Sequence, residues 1–350
     1  MSPTGDLDRR VENWFRAVID ASAARPGLRT RSAAAGPLEV RHTFEPGSSH
    51  EFLLDALVGD MGRVISGAIS IHSWEAPPAS LMLPSPVTDD DLAGRIAPRS
   101  LQSTRWRLTW DGFAGVVRCF DVATGTGVFI TAGPVEDWEH GAPLRSFLHW
   151  AASARGAGLV HAGTIGTSNG VGLVVGPGGT GKSTTVLVGL REGLATCGDD
   201  YVWLARTPAG LDVWAIYGTV KTKRGSEWAP GDAVRTQEVD GGAKRVHWLA
   251  DASPSSFLTR APLRAVVGLV PPAARMGRSD LLAAVSPSTA FQLPYDMAHT
   301  MSLLGSAVRD VPLLLVPRTG DLGEVARALR DAFGEPGRDG AARALSGTHV

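Results

Sequence analysis

Residues 171–188 read VGLVVGPGGTGKSTTVLV, and Gly176–Ser183 within them fit the pattern G-x-x-x-x-G-K-[ST]. Val171–Val175 is a short apolar run typical of a buried strand, and Ser183–Glu192 is expected to continue as a helix. In this pattern, loop N–H groups cradle nucleotide phosphates, the lysine reaches the β- and γ-phosphates, and the hydroxyl ligates Mg²⁺. A chain with 42 glycines could form such a turn by chance. Gly-Lys-Ser between a strand and a helix argues against that alternative.

The loop supplies the predicted nucleotide-binding residues. Its glycines permit backbone turns and a close anionic approach that a Cβ would hinder. The start of the following helix favours phosphate charge. The predicted binding residues are Gly176, Gly178, Gly179, Thr180, Gly181, Lys182, Ser183 and Thr184, with Ser183 also a ligand of Mg²⁺.

The composition is that of an ordinary globular chain. It has 350 residues, 43% of them hydrophobic, and a formal net charge of −1. No global field would gather nucleic acid or an anionic membrane, so neither is an expected partner. Cys119 and Cys197 have no metal-ligand spacing and are expected to be free thiols. Because the first thirty residues carry acids and arginines without a long apolar run, we expect a cytoplasmic protein.

The pattern along the chain predicts three parts. Residues 1–140 are expected to form an N-terminal helix, over residues 8–24, and a β-rich domain that could serve substrate recognition. Residues 141–333 are expected to form the α/β phosphate-loop domain, opened by a helix at 143–155. Residues 334–350 mix Gly, Pro, Arg and Asp and are expected to form a flexible tail.

Two carboxylates follow the loop helix. Leu194–Cys197 is predicted to be a strand, and Asp199-Asp200 come directly after it. Phosphoryl-transfer sites need oxygen ligands for Mg²⁺ and a group that orients or deprotonates the nucleophile. The alternative for Gly-Asp-Asp is a solvated turn. His161 ends the strand that precedes the loop, where a histidine is more often structural than catalytic.

The run HAGTIGTSNGVGLVVGPGGTGKSTT, followed by GDDYVWL, resembles the catalytic core of the HPr kinase/phosphorylase family. That family shares a phosphate-loop fold with phosphoenolpyruvate carboxykinases. The resemblance covers residues 145–205 well and the remainder in outline. It implies an α/β fold, ATP and Mg²⁺ as cofactors, and Asp199 as the base that accepts a hydroxyl proton. It also implies that His161 supports that carboxylate and the phosphates, and that Lys182 and Ser183 hold phosphate and Mg²⁺.

The downstream segment departs from the family. HPr kinases place a Glu-bearing segment with an Arg-Gly pair there, whereas this chain reads AIYGTVKTKRGSEW, with Arg224-Gly225 and no preceding Glu. The acceptor is therefore expected to be another serine-type hydroxyl, on a peptide, a protein or a small molecule. Arg224 is the candidate for contacting it. The alternative is that Lys221, Lys223 and Arg224 are a solvated strand edge.

The sequence thus predicts an ATP-dependent kinase with Asp199, His161 and Lys182 as catalytic residues and Ser183 and Asp200 on the metal. Which aspartate is the base and which the metal ligand stays open. Two alternatives remain: a phosphoenolpyruvate carboxykinase-like enzyme, and a nucleotide-binding regulatory or assembly ATPase without a phosphorylated substrate. The family's hexamers allow a homo-oligomer here.

Overall fold

The computed structural model describes residues 3–60, 67–76, 92–93, 99–101, 103–111, 115–227, 230, 234–271, 276–290, 292–317 and 322–333. The predicted tail at 334–350 lies outside these residues. Helices and three β-sheets mix along the described chain, which is the α/β composition expected from the sequence.

The N-terminal part is a helix on an eight-stranded sheet. Helix α1 (Pro3–Ala23) buries Leu7, Val11, Phe15 and Val18 against strand side chains such as Trp106. The strand order is β1-β2-β3-β8-β7-β6-β5-β4. Their bounds are β1 Arg29–Ala35, β2 Leu38–Phe44, β3 Ala68–Glu75, β4 Leu92–Ala93, β5 Arg99–Leu101, β6 Trp106–Asp111, β7 Val116–Asp121 and β8 Thr126–Thr131.

The second sheet is mixed and has seven strands. Its order is β10-β11-β17-β13-β12-β9, with β18 also paired to β17. The long strand β17 (Arg260–Val270) lies parallel to β11 and β18 through its second half and antiparallel to β13 through its first residues. The other bounds are β9 Ala157–Val160, β10 Gly163–Thr167, β11 Gly170–Val175, β12 Val202–Thr207, β13 Gly210–Trp214 and β18 Leu313–Pro317.

A third sheet and six more helices surround the second sheet. The small antiparallel sheet has the order β14-β16-β15, with β14 at Thr219–Lys223, β15 at Thr236–Val239 and β16 at Lys244–Trp248. The helices are α2 Arg145–Ser153, α3 Lys182–Arg191, α4 Leu249–Ala252, α5 Arg278–Ala290, α6 Met297–Asp310 and α7 Leu322–Phe333. Short 3-10 helices lie at Glu51–Leu54, Asp137–His140, Asp240–Gly242 and Pro254–Ser256.

One hydrophobic cluster crosses the predicted boundary at residue 140. It joins Val40 and Phe129 of the first sheet to Phe147 of α2, to Trp203 of strand β12 in the second sheet and to Tyr201 just before that strand. A chain cut near residue 141 would expose this apolar surface to water. The two-domain division stays a prediction, and functional tests belong on the full chain.

One strand expected from the sequence is not formed. Leu194–Cys197 is not a strand, because only isolated bridges join Ala195 to Gly166 and Thr196 to Phe257. Helices α5 and α6 were not predicted from the sequence. Helix α5 contains Pro287, a residue that removes a donor from a helix interior and obscures the helical pattern.

Candidate functional site

The loop between β11 and α3 has the backbone conformation that its glycines allow. Gly179 and Gly181 have φ of +77° and +101°, and Gly181 caps α3. A Cβ at either position would meet no atom within 4 Å, so the requirement for glycine is conformational rather than steric. The first helical bond, from Thr185 N to Gly181 O, is 2.9 Å long. The amides of the first helical turn before it therefore have no partner within the helix.

The loop side chains brace the turn. Lys182 folds back over the loop, where its Nζ donates to Gly176 O at 3.0 Å and to Pro177 O at 3.3 Å. The Thr180 hydroxyl also donates to Pro177 O, at 2.8 Å. Burial lowers the pKa of Lys182, and the charges of Asp199 and Asp200 oppose that shift. A lysine held by two carbonyls can exchange them for anionic oxygens, which are stronger acceptors.

Asp199 is a buried carboxylate that lacks a well-formed hydrogen bond. Its side chain is 2% exposed, and neither carboxylate oxygen accepts a hydrogen bond of good geometry from the described residues. Burial raises the pKa of Asp199 to about 6, and the charge of Asp200 acts in the same direction. Weak hydrogen bonding from the Ser183 hydroxyl and the Asp200 amide and the charge of Lys182 partly oppose the rise. An acid held in this state has a charged form that is costly unless a cation or proton arrives.

Asp200 has the opposite environment. Its oxygens lie 3.1 Å from His161 Nε2 and 2.8 Å from Lys221 Nζ. Burial would raise the pKa of Asp200, but Lys221 and His161 hold it well below the usual range. Asp200 also has a φ of +71°, in the left-handed region that aspartate tolerates better than most residues. This turn separates the two neighbouring carboxylates into different surroundings.

His161 was expected to support Asp199, and in this structure its imidazole contacts Asp200. His161 Nε2 faces Asp200, its Nδ1 lies 3.3 Å from the carbonyl of Ser288, and its ring stacks on Tyr201 at 5.1 Å between centroids. The two aspartates are adjacent in sequence, so residue spacing could not tell which one the imidazole contacts.

Of the basic residues near β14, Lys221 contacts the site, whereas the sequence had favoured Arg224. Lys221 on β14 reaches Asp200, whereas Arg224 is exposed in the turn after β14 and its amide donates to Ala243 O at 3.0 Å. No hydrogen bond or ion pair joins the Arg224 side chain to Lys182, Asp199 or Asp200, all of which are described. The role of Arg224 in substrate contact stays a prediction. Lys221 belonged to the basic cluster in the sequence, but only its position on β14 shows that it is the member that contacts Asp200.

Tyr201 and Arg145 are further site residues that no sequence motif indicated. The Tyr201 hydroxyl accepts a bond from Arg145 Nη1 at 3.0 Å and also contacts the amide oxygen of Gln292. Arg145 begins α2, far from the loop in sequence. Tyr201 follows Asp200 directly, and this adjacency was the available signal.

The described side chains do not form a complete metal site by themselves. Within the described ranges, no group of three or more His, Cys, Asp and Glu side chains could hold a metal ion. A Mg²⁺ site here would therefore draw on Ser183, one or two aspartates, phosphate oxygens and water.

None of the described helices has the length and apolar character needed to cross a membrane. The expected free thiols are found, since Cys119 and Cys197 are both unpaired and buried.

Comparisons with known proteins add little to this geometry. No protein-family model matches the chain, and no curated protein sequence matches it. Among solved structures, the chain is similar to the HPr(Ser) kinase/phosphatase from Coxiella burnetii, with a TM-score of 0.30 and 16% sequence identity. The match covers 49% of this chain and 93% of that one. A likeness at this level carries no weight for function, so the residues themselves must support any proposal.

Proposed function

We propose that this protein is a Mg²⁺- and ATP-dependent phosphotransferase that transfers the γ-phosphoryl group to a hydroxyl acceptor. The observation that carries the proposal is the carboxylate of Asp199, which is buried beside Ser183 and Lys182 at the start of α3 and lacks a well-formed hydrogen bond. A fold seldom keeps a bare buried carboxylate, because the charge loses hydration and gains nothing in return. A carboxylate next to a phosphate loop can accept the proton of an attacking hydroxyl, as the catalytic aspartate does in kinases.

The residues present fit a nucleoside triphosphate and its metal ion. The free amides at the start of α3 and the Lys182 ammonium would hold phosphate oxygens. The Ser183 hydroxyl would ligate Mg²⁺, which neutralises phosphate charge when bound. Asp200 remains the proposed second metal ligand. Since its oxygens contact His161 and Lys221, such a metal would have to replace one of these contacts.

Asp199 is the proposed base. A pKa of about 6 leaves the carboxylate mostly ionised at neutral pH and still able to take a proton. In the proposed step, the acceptor oxygen bonds to the γ-phosphorus while the bond from that phosphorus to the bridging oxygen of ADP breaks. The hydroxyl proton passes to Asp199, and ADP leaves. Positioning and charge stabilisation supply most of the rate in this chemistry.

Nucleotide binding is tested first, on the full chain. Calorimetric titration with Mg·ADP should show saturable binding that Lys182→Ala weakens strongly. Lys223→Ala is the matched control, because Lys223 is an exposed lysine at the end of β14. Absence of Mg·ADP and Mg·ATP binding, or equal loss in the two variants, would overturn the proposal.

Transfer is tested with γ-labelled ATP and fractionated pools of peptides and small metabolites. We expect label in a hydroxyl-bearing acceptor with the wild-type protein and none with Asp199→Asn. Release of free phosphate as the only product would favour the regulatory ATPase. Nucleotide-dependent conversion of oxaloacetate to phosphoenolpyruvate would favour the carboxykinase alternative.

A further inference from the structure

Arg145 lies beside the site with its hydrogen-bonding capacity almost unused. Its guanidinium carbon is 4.6 Å from the centroid of the Trp138 ring and 5.1 Å from that of Tyr201. A guanidinium has five N–H donors, and within the described chain Arg145 makes one hydrogen bond, to the Tyr201 hydroxyl. Its Nε is buried without a partner. The two rings thus hold the charged group in place while leaving donors free.

The nearby acids do not neutralise Arg145, because other groups already occupy them. Glu139 accepts from Arg118 at 2.9 Å and from the amide of Leu144, also at 2.9 Å. Asp200 has its oxygens on His161 and Lys221. Burial would lower the pKa of Arg145, but nearby Tyr201, Glu139 and Asp200 raise it overall. Neither Glu139 nor Asp200 forms a hydrogen bond with the guanidinium. The guanidinium therefore stays charged, with no carboxylate bound to it.

The position of Arg145 in its helix strengthens the demand for an anion. It is the first residue of α2, whose first turn contains no acid and whose cap residue, Leu144, makes no side-chain capping bond. The positive end of a helix dipole disfavours a cation. Arg145 therefore occupies a helix position that is unfavourable for a cation. It is partly exposed and lies close enough to Asp200 for the two charges to interact. An arriving anion would be attracted by both the guanidinium and the helix end.

We propose that Arg145 binds a carboxylate of the phosphoryl acceptor, so that the acceptor is a hydroxy acid. This inference rests on the proposed function, and it names the substrate class that the function leaves open. The planar guanidinium matches a carboxylate through paired N–H···O bonds, which a lysine cannot reproduce. Two sources share this chemistry: a small hydroxy acid, and the C-terminal residue of a peptide that ends in serine.

The test compares acids with their amides on the full-length protein saturated with Mg·ADP. Glycerate and glyceramide probe a small acceptor, and N-acetylglycyl-serine and its C-terminal amide probe a peptide end. Calorimetry should show at least one acid binding about tenfold or more tighter than its amide, the usual range for a charged hydrogen bond. Preference for glycerate or for the peptide acid tells which source applies.

Three variants separate recognition from scaffolding. Arg145→Gln should abolish the preference for acid over amide, and Arg145→Lys should restore only part of it. Tyr201→Phe removes the hydroxyl that Arg145 contacts and keeps the ring, so it should retain the preference. Equal losses in Arg145→Gln and Tyr201→Phe would mean that Arg145 only positions Tyr201, which overturns the proposal. Circular dichroism of each variant shows whether it is folded.

Other results would also overturn the inference. These are equal binding of acid and amide, no binding of either acid, and a matching fall in Mg·ADP affinity in Arg145→Gln, which would give Arg145 to the nucleotide. The proposed function fails separately, if the wild-type protein does not bind Mg·ADP. In that event the same titrations without nucleotide still decide whether Arg145 binds carboxylates.

Discussion

The two adjacent aspartates should change stability in opposite directions when each is replaced by asparagine. The pKa of Asp199 is raised from 3.8 to about 6 in the folded chain, so folding favours its protonated form. Wild-type stability therefore falls as pH rises from below 4 to above 6, and the penalty is complete above the folded pKa. At about 1.4 kcal/mol per pKa unit, the penalty is about 3 kcal/mol at pH 8 and about 1 kcal/mol at pH 4.5.

Asp199→Asn removes that penalty, because the amide does not titrate. Its gain over the wild type should grow by about 2 kcal/mol between pH 4.5 and pH 8. An imperfect fit of the amide would shift the whole curve without changing this pH dependence. At pH 8 the gain corresponds to a rise in Tm of about 4 °C, from about 2.1 cal/mol/K of unfolding entropy per residue.

Asp200→Asn is the matched control. It loses contacts with His161 and Lys221, and its side chain is only 21% exposed, so we expect a loss of about 2 kcal/mol. The pKa of Asp200 is held well below its usual value, so its contribution is present above pH 4 and lost only in stronger acid. From pH 4.5 to pH 8 its curve should lie below the wild type, and the gap should narrow as the pH rises, because loss of the Asp200 charge also weakens the rise in the pKa of Asp199.

The assay is urea unfolding of the metal-free protein in EDTA, followed by tryptophan fluorescence at several pH values. If the Asp199→Asn curve runs parallel to the wild type over this range, the carboxylate has no raised pKa. The argument for Asp199 as the base would then fail.

Three further predictions concern the loop. Lys182→Ala should abolish phosphoryl transfer from labelled ATP while the far-ultraviolet circular dichroism is unchanged; normal turnover would contradict its proposed contact with phosphate. Ser183→Ala should raise the Mg²⁺ concentration needed for half-maximal activity, and superimposable magnesium titrations would exclude Ser183 as a ligand. Gly179→Ala should destabilise the fold by about 1 kcal/mol, because φ is +77° there, whereas Gly178→Ala should leave the unfolding midpoint nearly unchanged. Equal midpoints for the two glycine variants would argue against the strained turn.

Local features of the chain could be predicted from the sequence. The strand at Gly170–Val175, the glycine turn and the helix that begins at Lys182 follow one another within a few residues. Their signals are the apolar run, the glycines and the Gly-Lys-Ser triplet, which constrain the backbone where they stand. The proximity of Asp199 to Lys182 also follows from the motif resemblance.

Only the tertiary structure decided which neighbouring groups each site residue contacts. Asp199 and Asp200 are the same residue type, yet the turn leaves Asp199 without a well-formed hydrogen bond and gives Asp200 two partners. Lys221 and Arg145 reach the site from a separate sheet and a separate helix, through contacts between residues distant in the chain. Burial, charge pairing and pKa depend on which groups meet in space. The sequence by itself therefore determined the loop and its conformation, and only the tertiary structure decided which carboxylate lacks a well-formed hydrogen bond and which cations lie beside it.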